Sequence, residues 1–371
     1  MTVTKMKNTE LELEIEPVSN NIYCKYTKKT NRCSKTKNKK ELSNFCIYNT
    51  KTKRCKKNKI ITNNNIYKIV KIYLSKNKKR HQRIIKDYGK ISDWDVSRVT
   101  NMEELFMGKR NFNENISKWN VSQVIDMRDM FNGAESFNQP LNNWNVSNVT
   151  NMKSMFCIAT QFNQSLNNWD VSNVTDMDGM FFETWIFNQP INDWNVSNVV
   201  NMSHMFVNSN FNKSLNNWDV SNVTNMTFMF SDAFTFNQPL NNWNVSNVKC
   251  MSYMFETMDI FARSTNTTKS FNQPLNNWDV SNVTDMQAMF HSAISFNQPL
   301  NDWNVSNVAN MSHMFANAES FNQPLNNWNV SNVTNMNGMF INAYSFIQPI
   351  YNWNVSKVTT MEGMFLNSKY Y

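Results

Sequence analysis

Glycine is scarce in this chain, with only six in 371 residues. That excludes phosphate-cradling loops and argues against turns built on glycine's access to positive φ. Charge is thin as well, at 18% of residues. Mean hydropathy is nevertheless −0.57, so neutral polar side chains, mainly Asn, supply the polarity. No run approaches the ~18–20 apolar residues of a membrane span, and the nearest, Ile66 to Leu74, is broken by Lys68 and Lys71. An apolar leader is missing too. The first twenty residues carry Glu10, Glu12, Glu14 and Glu16 in alternation instead. The expectation is an intracellular protein in reducing surroundings, in which sequons such as Asn145–Ser147 and Asn148–Thr150 are no sign of glycosylation. What the chain does have is aromatic material, at 13%, enough for a real core and against wholesale disorder.

Charge divides the chain. Residues 1–90 hold 25 Lys+Arg against 6 Asp+Glu, a net +19, so the formal total of +9 leaves −10 for residues 91–371. Trp is absent before Trp94. A basic arm is thus joined to a different kind of domain. We divide the chain into a basic Cys/Lys-rich arm over 1–65, expected to be largely flexible, a basic amphipathic helix over 66–90, and a repeat region over 91–371. Ile66, Ile69, Val70, Tyr73 and Leu74 fall at helical spacing, and a helix there would cover the first repeat as a cap.

Eleven Trp, at 94, 119, 144, 169, 194, 218, 243, 278, 303, 328 and 353, recur every 25 residues apart from one spacing of 24 and one of 35. Counting from each Trp, position +2 is Val, +3 Ser, +5 Val, +8 Met and +12 Phe in every copy, and a second Phe closes each of the ten complete intervals, at +18 except for Phe211 at +17 and Phe271 at +28. Position +11 is Met except for Leu105. Trp144 and Val146 are two apart and predict one face of a short strand. Val149, Met152, Met155 and Phe156 lie at i, i+3, i+6 and i+7, one face of a short helix or 3-10 turn, with Ser147 or Thr150 as its N-cap. The predicted fold class is an α/β repeat solenoid of eleven coils of about 25 residues. Asn at +1, +4 and +7 is expected to bond its own backbone and the neighbouring coil, and to hold left-handed turns in place of Gly. Both length changes, 206–211 and 255–271, fall between +12 and +18, so that link should lie at an exposed edge.

The Leu-x-x-Trp-x-Val core resembles the strand signature of leucine-rich repeats. The unit Phe-Asn-Gln-Pro-Leu-Asn-Asn-Trp-Asn-Val-Ser-Asn-Val-Thr-Asn-Met-x-x-Met-Phe at 137–156 closely resembles the BspA-like surface-protein repeat. That family occurs in bacterial and mycoplasma surface proteins and in some protists and giant DNA viruses. The resemblance covers about 91–365. It implies a leucine-rich-repeat-like solenoid and adhesion or protein binding, with no catalytic residues to carry over. In the arm, Cys24-x8-Cys33 recurs as Cys46-x8-Cys55, each copy ending in Thr-x-Arg-Cys. This is similar to basic Thr-Gly-Arg-Cys segments of giant-virus proteins, with Asn31 and Lys53 in place of Gly, and implies a viral member acting in host cytoplasm or virion.

Cys24, Cys33, Cys46 and Cys55 are candidate zinc ligands, although the spacing misses the usual C-x2–4-C. Two disulfides and free thiols are the alternatives. Lys51, Lys53, Arg54, Lys56, Lys57 and Lys59 are candidate phosphate contacts without an aromatic stacking platform. His204 and His313 occupy variable +10 positions and His291 a +13 position, as expected of histidines that lie on the surface without a shared ligand. No nucleophile–base pattern or dinucleotide fingerprint occurs, so neither an enzyme nor a bound cofactor is expected. The Trp/Met/Phe columns read as core, leaving +9, +10 and +13 to +17 for binding specificity. Met258, Ile260, Phe261 and Arg263 in the long link are the leading partner contacts. The expected function is recognition of another protein. The alternatives are a nucleic-acid-associated protein tethered by its arm and a structural protein assembling end to end.

Overall fold

The computed structural model describes residues 59–257 and 271–369, together with four short strands inside 24–57. By contact the chain divides into two units. One comprises 1–60 with 87–89, and the other 61–86 with 90–371.

In the first unit, β1 (Cys24–Thr27) pairs antiparallel with β2 (Arg32–Lys35), and β3 (Cys46–Asn49) with β4 (Arg54–Lys57). The duplicated Cys-x8-Cys segment is therefore one hairpin written twice. In both copies the first cysteine pairs with a lysine, Cys24 with Lys35 and Cys46 with Lys57, and the second pairs with a tyrosine, Cys33 with Tyr26 and Cys55 with Tyr48.

Two helices, α1 (Ile66–Tyr73) and α2 (Lys78–Tyr88), form where periodicity suggested one; α1 and α2 up to Lys86 belong to the second unit. α1 buries Ile66, Ile69, Val70 and Tyr73. Tyr73 meets the Trp94 ring edge-on at 5.4 Å. Just ahead of α1, the Asn63 carboxamide oxygen accepts from the N–H groups of Thr100 (2.9 Å) and Asn101 (3.4 Å). In every later repeat the +6 N–H donates instead to the +6 carbonyl of the repeat before, as Ile125 does to Thr100 at 2.8 Å. Asn63 thus stands in for a repeat that does not precede the first.

The repeats stack in parallel, joined by one bridge per interval at position +7, from Asn101–Asp126 through Asn335–Thr360. Within a repeat, backbone N–H groups alternate in duty. In repeat 3, the N–H of Met152, Ser154, Phe156 and Ile158 donates to Asp176, Asp178, Met180 and Phe182 of repeat 4 at 2.7–3.0 Å. The intervening Met155, Cys157 and Ala159 close three-residue turns back onto Met152, Ser154 and Phe156. Because every second donor is exported, the i→i−4 pattern of a helix does not form, and the segment is a run of turns. The Trp-x-Val segment forms no strand either. Its Trp side chain does the linking, as Trp169 Nε1 donates to the Leu141 carbonyl of the preceding repeat at 2.9 Å.

Two columns carry left-handed backbone. Position +10 has φ of 51–61° in all eleven repeats, and +14 has φ of 51–68° in all but the seventh. Five of the six glycines occupy these columns. Sixteen positions hold other residues, including Ile158, Phe228 and Tyr253, where a β-branched or bulky side chain costs about 1–2 kcal/mol. The expectation that Asn at +1, +4 and +7 supplies the left-handed turns is corrected, because none of those columns has positive φ. Those Asn act through their side chains. At +1 the oxygen accepts, as from the Ser147 N–H and hydroxyl to Asn145 at 3.1 and 2.8 Å. The capping acceptor is therefore Asn145, and Ser147 is a donor. At +7 it accepts again, from Lys153 N–H to Asn151 at 3.0 Å. At +4 the amide nitrogen donates, as from Asn173 to the Ser147 carbonyl of the preceding repeat at 2.7 Å. Acceptor columns tolerate Asp, and donor columns do not. Asp170, Asp219 and Asp279 sit at +1 and Asp126, Asp176 and Asp285 at +7, whereas +4 holds only Asn, Arg98, Gln123 and Lys357.

The core is a pair of aromatic stacks beside the Val and Met columns. Phe131 and Phe137 pack at 4.1 Å within repeat 2, and Phe131 stacks on Phe156 at 5.5 Å between repeats. Trp278 and Trp303 lie 6.4 Å apart and within 2° of parallel. In repeat 11 the outer side of these columns is open, with Val355 40% and Met361 43% exposed, and the N–H groups of Met361, Gly363 and Asn367 have no acceptor among the described residues.

Candidate interaction surface

Since Trp, Val, Met and Phe are consumed in packing, variation falls on other columns, among them +9, +10 and +13 to +17. Across repeats 3–7, positions +9 and +10 form one connected row. The Asp178 carboxylate receives Lys153 Nζ at 2.8 Å, His204 Nδ1 at 2.9 Å and Ser203 Oγ at 2.8 Å. Burial pushes this carboxyl up, but hydrogen bonds from His204, Lys153 and Ser203 outweigh it and hold Asp178 well below the usual carboxylate range. The His204 ring stacks on Phe228 at 5.2 Å, and Phe228 on Tyr253 at 4.3 Å. Ser203, His204 and Asp178 are neighbours, yet the Ser203 hydroxyl donates to Asp178 and Asn201. The serine therefore faces the carboxylate, and the imidazole does not activate it. His204 belongs to a packed, ion-paired row, which its isolated position in the sequence did not reveal.

The long link leaves the stack at Thr257 and returns at Phe271. Met258, Ile260, Phe261 and Arg263 lie outside the described residues. The departure point is a buried polar knot. The Thr257 hydroxyl donates to the Ser292 carbonyl at 2.5 Å, and Thr257 N–H to the His291 carbonyl at 2.9 Å. Glu256, 3% exposed, has Oε1 3.4 Å from His291 Nδ1 and Oε2 3.5 Å from Ser231 Oγ. His313 faces this neighbourhood, and burial followed by the nearby His291 lowers its pKa. Among the described residues no three His, Cys, Asp or Glu side chains converge as metal ligands.

Of the arm's candidates, Cys24, Cys33, Cys46, Cys55, Arg54, Lys56 and Lys57 lie on the four strands, while Lys51 and Lys53 fall outside the described residues. Lys59 is paired with Asp87 at 2.8 Å and lies 5.9 Å from the centre of the Tyr88 ring. Within the repeats, burial pushes the Cys157 thiol up to about 12, which disfavours the nucleophilic thiolate. Cys250 takes the +7 acceptor role and receives the Thr227 hydroxyl at 3.0 Å. The sequence reading also passed over Trp185 and Ile186, which are exposed at +16 and +17. Their signal was available, since Trp185 is the one Trp off the ladder.

A family model described as a Mycoplasma protein of unknown function, DUF285, matches three overlapping spans, 75–192, 159–267 and 260–371. The chain belongs to the DUF285 family. That match runs over the whole stack and begins at residue 75, so it takes in α2 as well as the repeats. DUF285 is a tandem-repeat family, in keeping with the resemblance to BspA-like repeats. No curated protein and no solved structure matches the chain. Among the described residues no helix is long and apolar enough to cross a membrane.

Proposed function

We propose that this DUF285 protein is a non-catalytic recognition module, a leucine-rich-repeat-like solenoid that binds another protein through its variable columns. One observation carries the reading. The invariant side chains are committed to the core or to bonds between repeats, which leaves variable columns, chiefly +9, +10 and +13 to +17, to discriminate between ligands. The ten-residue extension of the seventh link enlarges that surface, and Met258, Ile260, Phe261 and Arg263 are its contacts. The Asn-, Lys- and Ile-rich composition supports an AT-rich, giant-virus genome as the source. The test is cross-linking and affinity purification with the full chain and with a variant whose seventh link is cut to the usual five residues. Loss of specific partners from the shortened variant is expected. An unchanged partner set removes the loop from the surface.

A second reading has the +19 charge of residues 1–90 holding the chain on nucleic acid through Lys51, Lys53, Arg54, Lys56, Lys57 and Lys59. Filter binding of the full chain to duplex DNA should then weaken steeply with salt, by about 0.9 log unit per tenfold salt for each phosphate contacted. A flat salt response ends that reading.

A further inference from the structure

The link of repeat 4 exposes two large apolar side chains that the fold does not use. Trp185 is 49% and Ile186 41% exposed. In every other repeat, the residue just before the +18 Phe is Ser, Thr, Asn or Gln, so Ile186 is an exception as much as Trp185. The chain is pinned on both sides of the pair. Thr184 is fully buried, with its hydroxyl donating to the Phe156 carbonyl at 2.7 Å, and Phe187 is buried in the core. The two side chains are thus held outward on fixed backbone and lose little freedom on binding. In repeat 5, Asn210 N–H bonds the Trp185 carbonyl at 3.4 Å. There the link is one residue short. Glu183, at φ 51°, is the one formal charge in the links 157–161, 182–186 and 207–210.

Size and charge select the occupant. The exposed parts of the two side chains amount to roughly 200 Å². A stable interface between folded domains takes about 800 Å² from each partner. A second folded copy of this chain finds too little here, whereas a single apolar side chain laid against the indole finds enough. We propose that Trp185 and Ile186 are a docking point for a short extended segment of another protein, one presenting a large apolar side chain next to a lysine or arginine that pairs with Glu183. This rests on the reading of the repeats as a protein-recognition surface and names one place and one partner chemistry on it.

The experiment is a phage-displayed random-peptide library panned on the full chain. The selected peptides are then assayed as synthetic probes against the chain and against a Trp185→Asn, Ile186→Ser double variant. Both positions are exposed, so an unchanged melting midpoint and sedimentation profile verify the variant's fold. Enriched peptides should carry an apolar anchor beside a basic residue, bind the double variant at least roughly tenfold more weakly, and lose their basic preference on Glu183→Gln. No enrichment over an unrelated protein overturns the proposal, as do peptides that bind both forms equally. Self-association abolished by the double variant would replace the peptide with a second copy. Peptides indifferent to Trp185 and Ile186 but sensitive to substitutions in other variable columns would sink this docking point and leave recognition by the repeats standing.

Discussion

Replacing Trp243 with Phe should open the stack locally by about 3 kcal/mol. The indole is 2% exposed, lies between Trp218 at 6.3 Å and Trp278 at 6.5 Å, and donates Nε1–H to the Leu215 carbonyl at 3.0 Å. That carbonyl also accepts from Trp218 N–H, so losing the indole bond leaves it paired, and the deficit is the ordinary ~1 kcal/mol of a hydrogen bond. The smaller ring forfeits about 1 kcal/mol of apolar burial, and the void between two stacked indoles adds about 1 kcal/mol more. Repeat arrays open in segments, so the assay is amide hydrogen exchange read by mass spectrometry. Exchange in repeats 6–8 should accelerate about a hundredfold, with little change in repeats 1–3. Trp185→Phe is the control, and at that exposed site the cost should stay within about 0.5 kcal/mol. If the two variants behave alike, or if the acceleration spreads evenly over the chain, the indole ladder does not clamp the repeats.

Three further outcomes are expected. Asn222→Asp should destabilise by about 1–2 kcal/mol at neutral pH, because a carboxylate cannot donate to the Ser197 carbonyl that Asn222 Nδ2 reaches at 2.7 Å. Asp219→Asn in the same repeat should be neutral in urea denaturation, and equal costs for the two would refute the donor and acceptor columns. Gly108→Ala, at φ 66° with no atom within 4 Å, should cost about 1 kcal/mol from backbone alone. Gly338→Ala should cost more, since its Cβ would meet the His313 ring at 2.9 Å, and the excess should vanish in a His313→Ala background. Finally, Asp178 has its folded pKa depressed, so its stabilisation is present above the unfolded carboxylate pKa and is lost as pH falls through the folded value. The stability difference between the native chain and Asp178→Asn should shrink on acidification, and a difference that grows would reverse the assignment.

The repeat length and the buried columns were legible in the sequence, because burial leaves a periodic trace that eleven copies amplify. The turns were not. Spacing of i, i+3, i+6 and i+7 suits a helix, yet residue +10 is left-handed in every repeat, and no residue type marks that column, which runs from Glu104 through Phe228 to Gly363. In repeats 1–10 the N–H of that residue donates to the next repeat, and a single unit does not contain its partner. The side-chain row on the variable columns was equally hidden. The row of Lys153, Asp178, His204, Phe228 and Tyr253 joins residues about 25 apart that only stacking makes adjacent.

The sequence by itself therefore determined which side chains are buried and how long each repeat must be, since both follow from apolar periodicity and constant spacing. It also determined which Asn columns admit Asp, although the reason is visible only in the fold. Tertiary structure alone decided the backbone of each repeat. Exporting alternate N–H groups to the next repeat satisfies buried peptide donors without helix or strand, and that exchange holds Ile158, Phe228 and Tyr253 in conformations their own chemistry disfavours.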